Sequence, residues 1–200
     1  MSSSLPVMEH FYSLQGEGAN AGKAAYFIRL GGCDVGCHWC DVKESWDFEG
    51  HEKLNVDDLV NEVYLTGTPN VVVTGGEPTL HNLDYLSQAI KSKNINTFIE
   101  TAGTNVITGN WDWVCLSPKK FKPCLEDNFT KADELKVVVL NKYDLKWAEE
   151  LASKTNLNCK LFLQPEWDKS KVVLPLIIEY VKENPKWQIS LQTHKFLNIR

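Results

Sequence analysis

The chain has 200 residues, 43% of them hydrophobic, and a formal net charge of −5 at pH 7. That length suits one domain whose core needs no staples, and the hydrophobic share is ordinary for a globular protein. An acidic chain lacks the broad basic surface that nucleic acid requires, and no apolar run reaches a membrane-spanning length, so neither is an expected partner.

Residues 1–8 show no basic region followed by an apolar run, so no secretion leader is expected, and the cytoplasm is the expected home. Further along, composition and periodicity predict a strand over 25–30, a helix over 56–65, a strand over 70–74 and a helix over 83–91. Strands follow over 96–100, 114–117 and 134–140, then a helix over 145–154, a strand over 160–164, a helix over 172–183 and a strand over 188–192. Val71-Val72-Val73 and Val137-Val138-Val139 are continuous apolar runs, as in strands buried on both faces of a parallel sheet. Asn55 ahead of Asp57 and Asp58 marks a helix start. Strand–helix alternation predicts a parallel α/β fold. The connections 100–114 and 117–134, with Gly103, Gly109, Pro118 and Pro123, lack a helical period. The expected architecture is an incomplete, distorted parallel (β/α) barrel, in one domain spanning 1–200.

Between the first predicted strand and helix stand Cys33, Cys37 and Cys40, spaced C-x3-C-x2-C. Three thiolates around a cubane iron–sulfur cluster leave one iron open to a ligand, as catalytic metal sites keep a position that structural sites close. Zinc needs a fourth ligand; His38 lies inside the triplet, but the separated CxxC pairs of zinc modules are missing. Cys115, Cys124 and Cys159 are scattered and read as small apolar residues. Polar and turn residues follow nearly every predicted strand: 31–40, Gly75-Gly76-Glu77-Pro78, Glu100-Thr101, Ser117-Pro118-Lys119, Gln164-Pro165-Glu166 and Thr193-His194. Parallel α/β folds bind ligands at those strand ends, so one shared site is expected. The paired glycines permit close backbone approach, and the Glu77 carboxylate suits an ammonium group.

The cysteine triplet and the Gly-Gly-Glu-Pro turn together resemble the radical S-adenosylmethionine superfamily. The runs Leu14-Gln15-Gly16-Glu17-Gly18, Tyr26-Phe27-Ile28-Arg29-Leu30, Glu134-Leu135-Lys136-Val137 and Leu191-Gln192-Thr193-His194 narrow this to a resemblance, nearly end to end, to the 7-carboxy-7-deazaguanine synthase family. The resemblance implies a lyase of the compact, distorted partial-barrel type, a homodimer holding a [4Fe–4S] cluster on Cys33, Cys37 and Cys40. A reductant such as flavodoxin or ferredoxin would supply the electron. The cluster would cleave S-adenosylmethionine to methionine and a 5′-deoxyadenosyl radical. The substrate would be 6-carboxy-5,6,7,8-tetrahydropterin, converted with loss of ammonia to 7-carboxy-7-deazaguanine, toward 7-deazapurines such as queuosine.

Carried over by residue, Leu14, Gln15, Gly16, Arg29, Thr74, His194 and Arg200 are the expected substrate contacts. Trp39, Cys40, Asp41, Gly76, Glu77, Glu100, Ser117, Pro118, Lys119, Lys136 and Gln164 are the expected cofactor contacts. Arg29 lies on an otherwise apolar strand, where a guanidinium needs an anion. The substrate carboxylate would serve, and a structural ion pair is the alternative. The family commonly ligates Mg²⁺ through a Ser or Thr hydroxyl two residues after the last cluster cysteine; here that residue is Val42. Mg²⁺ is expected still to bind with substrate present, through substrate oxygens, water and backbone near Asp41; otherwise a cation such as Lys43 neutralises the carboxylate. A glycyl-radical activating enzyme, acting on a protein, or a non-enzymatic iron–sulfur or zinc module would use part of the same residues.

Overall fold

The computed structural model describes residues 4–200; residues 1–3, part of the stretch read for a leader and of the expected domain, lie outside the described residues. In chain order the elements are β1 (Ser4–Leu14), β2 (Ala24–Leu30), β3 (Glu52–Asn55), α1 (Val56–Leu65), β4 (Asn70–Gly75), α2 (Asp84–Lys91), β5 (Asn96–Thr101) and β6 (Trp113–Leu116). Then come α3 (Glu126–Lys131), β7 (Glu134–Val139), α4 (Tyr143–Ala152), β8 (Lys160–Pro165), α5 (Ser170–Glu183), β9 (Trp187–Ile189) and α6 (Thr193–Leu197). One sheet runs β3-β1-β2-β4-β5-β6-β7-β8-β9. From β2 onward neighbours pair in parallel, while β1 is antiparallel to both β2 and β3. The sheet does not close, so the barrel is incomplete, as the sequence predicts. Among the described residues no helix is long and apolar enough to cross a membrane.

Every predicted strand and helix is present, with ends displaced by a few residues. Asn55 caps α1 as expected, accepting from Asp57 N at 2.8 Å and Asp58 N at 3.4 Å. Four elements escaped the sequence reading. β1 carries Pro6, Glu9 and His10, and its register against β2 shifts between Val7 and Glu9, which breaks the alternation that announces a strand. β3, α3 and α6 span four, six and five residues, too few to display a period.

Alternation along the strands makes two faces. Ile28, Leu30, Val71, Val73 and Ile99 pack outward against α1 and α2, and Leu135, Val137, Val139 and Leu163 against α4 and α5. On the concave face Phe11, Ala25, Phe27, Val72 and Phe98 form an apolar floor, with Phe11 stacked on Phe27 at 5.3 Å. Following that face toward the strand ends, the next residues are Arg29, Thr74 and Glu100, the first two paired in register.

Candidate active site

The loop after β2 brings Cys33, Cys37 and Cys40 to a cavity of about 190 Å³. Trp39, Asp41, Gly76, Glu77, Glu100, Ser117, Lys119, Lys136 and Gln164 line the same space. Pro118 does not; it lines a neighbouring pocket with Trp39 and Trp147. Backbone bonds pin the loop: Gly32 N to Ser45 O at 2.8 Å, Cys33 N to Trp46 O at 3.3 Å and Glu77 N to Gly32 O at 2.8 Å. A Cβ on Gly76 would fall 2.2 Å from Gly32 O and 2.8 Å from Ser45 O, so only glycine lets the turn after β4 meet the cysteine loop. Among the described residues no group of three His, Cys, Asp or Glu converges as a single metal ion requires. A cubane attaches each thiolate to a different iron, so three thiols around one cavity fit it. Burial raises Cys33 and pushes Cys37 up to about 11, so iron must displace thiol protons on binding.

Glu77 does not stand free for an ammonium, as the sequence suggested. Its buried carboxylate accepts from Thr79 N at 3.0 Å, Thr79 Oγ1 at 2.6 Å, Ala102 N at 2.8 Å and the Thr101 hydroxyl. It staples the glycine turn to the end of β5, and so shapes the backbone that faces the thiols.

An ion network forms one wall of the cavity. Lys136 Nζ lies 2.5 Å from Glu17 Oε2 and 3.1 Å from Glu100 Oε2. Gln15 Nε2 donates to Glu100 Oε1 at 2.7 Å, and Gln192 Nε2 to Glu17 Oε1 at 2.9 Å. Burial works against the charge on Glu17, but the Lys136 ammonium and its hydrogen bonds hold that carboxyl down to about 2. Burial likewise opposes the charge on Lys136, yet the acidic groups around it keep it well above the ordinary lysine range. Glu17 and Gln192 were absent from the expected contacts; the signal for Glu17 was an acid set between Gly16 and Gly18.

Behind this wall is a second cavity of about 360 Å³, lined by Leu14, Gln15, Gly16, Arg29, Thr74, His194 and Arg200. These are all the expected substrate contacts. The two cavities share Glu17, Cys40, Asp41, Thr74, Gly75, Glu100 and Gln192. The second is completed by a long-range contact: Thr193 N and Thr193 Oγ1 both donate to Gly16 O at 2.9 Å. The His194 ring packs on Gly16 so closely that a Cβ there would fall 2.1 Å from Nδ1, and burial lowers the imidazole's proton affinity. Arg29 Nε donates to Glu9 Oε1 at 2.8 Å, so the ion pair weighed as the alternative does exist. Among the described residues its terminal nitrogens have no partner, and the guanidinium borders the cavity. Asp41 Oδ2 lies 2.9 Å from Lys195 Nζ and 3.4 Å from Gln192 Nε2.

Known proteins are similar to this chain throughout. The Radical SAM superfamily model matches residues 27–115. A 7-carboxy-7-deazaguanine synthase from Flavobacterium psychrophilum is 52% identical, covering 98% of this chain and 92% of that protein. One from Synechocystis sp. is 42% identical, covering 100% of this chain and 96% of its own length. The crystal structure of QueE from Escherichia coli superposes with a TM-score of 0.82 at 30% identity, covering 94% of each chain.

Proposed function

The chain belongs to the 7-carboxy-7-deazaguanine synthase family, and from that premise we propose that it converts 6-carboxy-5,6,7,8-tetrahydropterin to 7-carboxy-7-deazaguanine with release of ammonia, on the way to 7-deazapurines such as queuosine. The observation that carries this reading is the pair of adjoining cavities, one ringed by three thiols, the other bordered by Arg29 and His194. Cys33, Cys37 and Cys40 would hold the [4Fe–4S] cluster. When bound, cluster and S-adenosylmethionine supply hydrogen-atom abstraction, and the protein supplies position and exclusion of side reactions.

In this reading Gly76 and Glu77 shape the backbone that receives the cofactor's amino group. Ser117 and Lys119 offer it a hydroxyl and an ammonium; Lys119 Nζ donates to Ser117 Oγ at 2.6 Å. Trp39, Asp41, Glu100, Lys136 and Gln164 complete the cofactor's enclosure, with Pro118 just outside. Leu14, Gln15, Gly16, Thr74, His194 and Arg200 hold the pterin. Glu9 occupies the Nε of Arg29, which leaves the Nη edge for the substrate carboxylate. The expected single domain is supported by one sheet continuous through the described residues. A homodimer completes the reading, supported by exposed Phe196 and Leu197, with the cytoplasm as its expected home. A reductant such as flavodoxin or ferredoxin reaches the cluster where His38 is exposed.

Anaerobic incubation of reconstituted protein with reductant, S-adenosylmethionine and the carboxypterin tests the assignment. 7-Carboxy-7-deazaguanine is expected in the product mixture, and cofactor cleavage without it would sink the reading. Arg29→Lys keeps the charge but loses the planar fork. It is expected to weaken carboxypterin binding by about 1.5–3 kcal/mol, while cofactor affinity stays nearly constant. Equal loss of both ligands in equilibrium titrations would instead assign Arg29 to the fold.

A further inference from the structure

The Mg²⁺ that the family resemblance implies does not fit the residues present. Magnesium wants oxygen ligands in near-octahedral geometry. Val42 has no side-chain oxygen, and its carbonyl already accepts from Ser45 N at 3.2 Å and Ser45 Oγ at 2.6 Å. The adjacent carboxylate, Asp41, already faces an ammonium 2.9 Å away. A divalent cation at the same carboxylate would have to share it with that positive charge.

That ammonium belongs to Lys195 and is seated from three sides. Besides Asp41, Nζ donates to Gln192 Oε1 at 3.1 Å and lies 4.7 Å from the centroid of the Trp167 ring. Trp167 is itself braced edge-on by Phe196, with centroids 5.4 Å apart. Gln192 Nε2 also donates to Glu17, so the seat is tied to the wall between the two cavities. An ammonium has three donors; Gln192 accepts from one, while Asp41 faces the charge as an ion pair. Lys195 borders the substrate cavity together with Arg29 and Val42. Lys43, the cation singled out from sequence, does not reach the substrate cavity; it borders only a neighbouring pocket that Lys195 lines as well.

We propose that Lys195 fills the place of the metal, presenting a free donor of its ammonium to the substrate carboxylate beside Arg29, so that substrate binding needs no Mg²⁺. A valine after Asp41 is then explained: with an organic cation resident, no hydroxyl is called for. The inference rests on the carboxypterin reading of the site.

The test measures carboxypterin binding to the reconstituted holoenzyme with S-adenosylmethionine present, after exhaustive chelation and again with added Mg²⁺. Wild-type dissociation constants are expected to agree within about twofold. Lys195→Met, which keeps the stem over Trp167, should weaken carboxypterin by about tenfold or more and leave cofactor affinity unmoved. Lys195→Arg, which keeps the charge, should stay within about threefold of wild type. The double variant Lys195→Met with Val42→Thr should regain affinity only when Mg²⁺ is added. A wild type that loses carboxypterin on chelation and recovers it with Mg²⁺ overturns the inference. So does a Lys195→Arg variant as weak as Lys195→Met, which would make the residue a packing element, or a double variant indifferent to Mg²⁺. A wild type that binds the cofactor but no carboxypterin in either buffer overturns the functional reading, and this inference with it.

Discussion

Cys33→Ala, Cys37→Ala and Cys40→Ala are each expected to give folded protein that holds no stable cluster and turns nothing over. Each thiol would serve its own iron, and the other cysteines cannot stand in. Cys115 borders a small pocket beneath the ion network, where its thiol meets Glu134 Oε1 at 3.5 Å. Cys124 and Cys159 border neither cavity. The fold should survive the triplet substitutions, because the loop is held by backbone bonds to Ser45 and Trp46 and by the Gly76 contact, none of which uses a thiol. A loss of about 1 kcal/mol is the ordinary scale for such a change. Cys115→Ala, Cys124→Ala and Cys159→Ala should keep iron and activity. Iron and sulfide content after reconstitution, with cofactor cleavage under reductant, decides the matter. A scattered cysteine as essential as the triplet would refute the three-ligand site.

The parallel strands were legible because both their faces are buried: Val71, Val72 and Val73 are all fully covered, and such runs are conspicuous in sequence. The thiol triplet and the glycine turn were legible because their chemistry demands particular residues at fixed local spacing. What escaped is what long-range contact creates. β1 is an edge-side strand whose alternation is broken by its own register shift. The division of the site into two cavities depends on Thr193 reaching Gly16, 177 residues away in the chain. Glu17 and Gln192 gain their meaning only from that closure, since one lies in a glycine turn and the other just before α6. Glu77 was placed in the site by its motif, but whether its carboxylate faces a ligand or the fold depended on Thr79, Thr101 and Ala102. Likewise Lys43 was the alternative to Mg²⁺ that local sequence offered, whereas the ammonium beside Asp41 comes from across the site, on Lys195.

Lys136→Met is expected to destabilise the protein by about 3–5 kcal/mol, the range for removing one partner from a buried ion pair. The Lys136 side chain is 4% exposed, and its loss leaves Glu17 and Glu100 facing each other across an apolar stem without a counter-charge. The pH dependence should change sign. In the wild type Glu17 is depressed from 4.5 to about 2, so its contribution to stability is present above 4.5 and is lost as pH falls toward 2. Without the ammonium, burial and the neighbouring carboxylate push Glu17 the other way. A buried acid whose folded-state affinity for protons is raised loses stability as pH climbs, so the variant should melt higher at about pH 5 than at about pH 7.5. In the wild type Glu17 should not contribute to such an inversion. Glu17→Gln in the Lys136→Met background removes one stranded charge and should recover part of the loss, a non-additive result that independent sites do not give. Thermal unfolding of wild type, Lys136→Met, Glu17→Gln and the double variant at both pH values provides the readout. If Lys136→Met loses less than about 1 kcal/mol and keeps the wild-type pH profile, the network is not the charge balance that holds the wall between the two cavities.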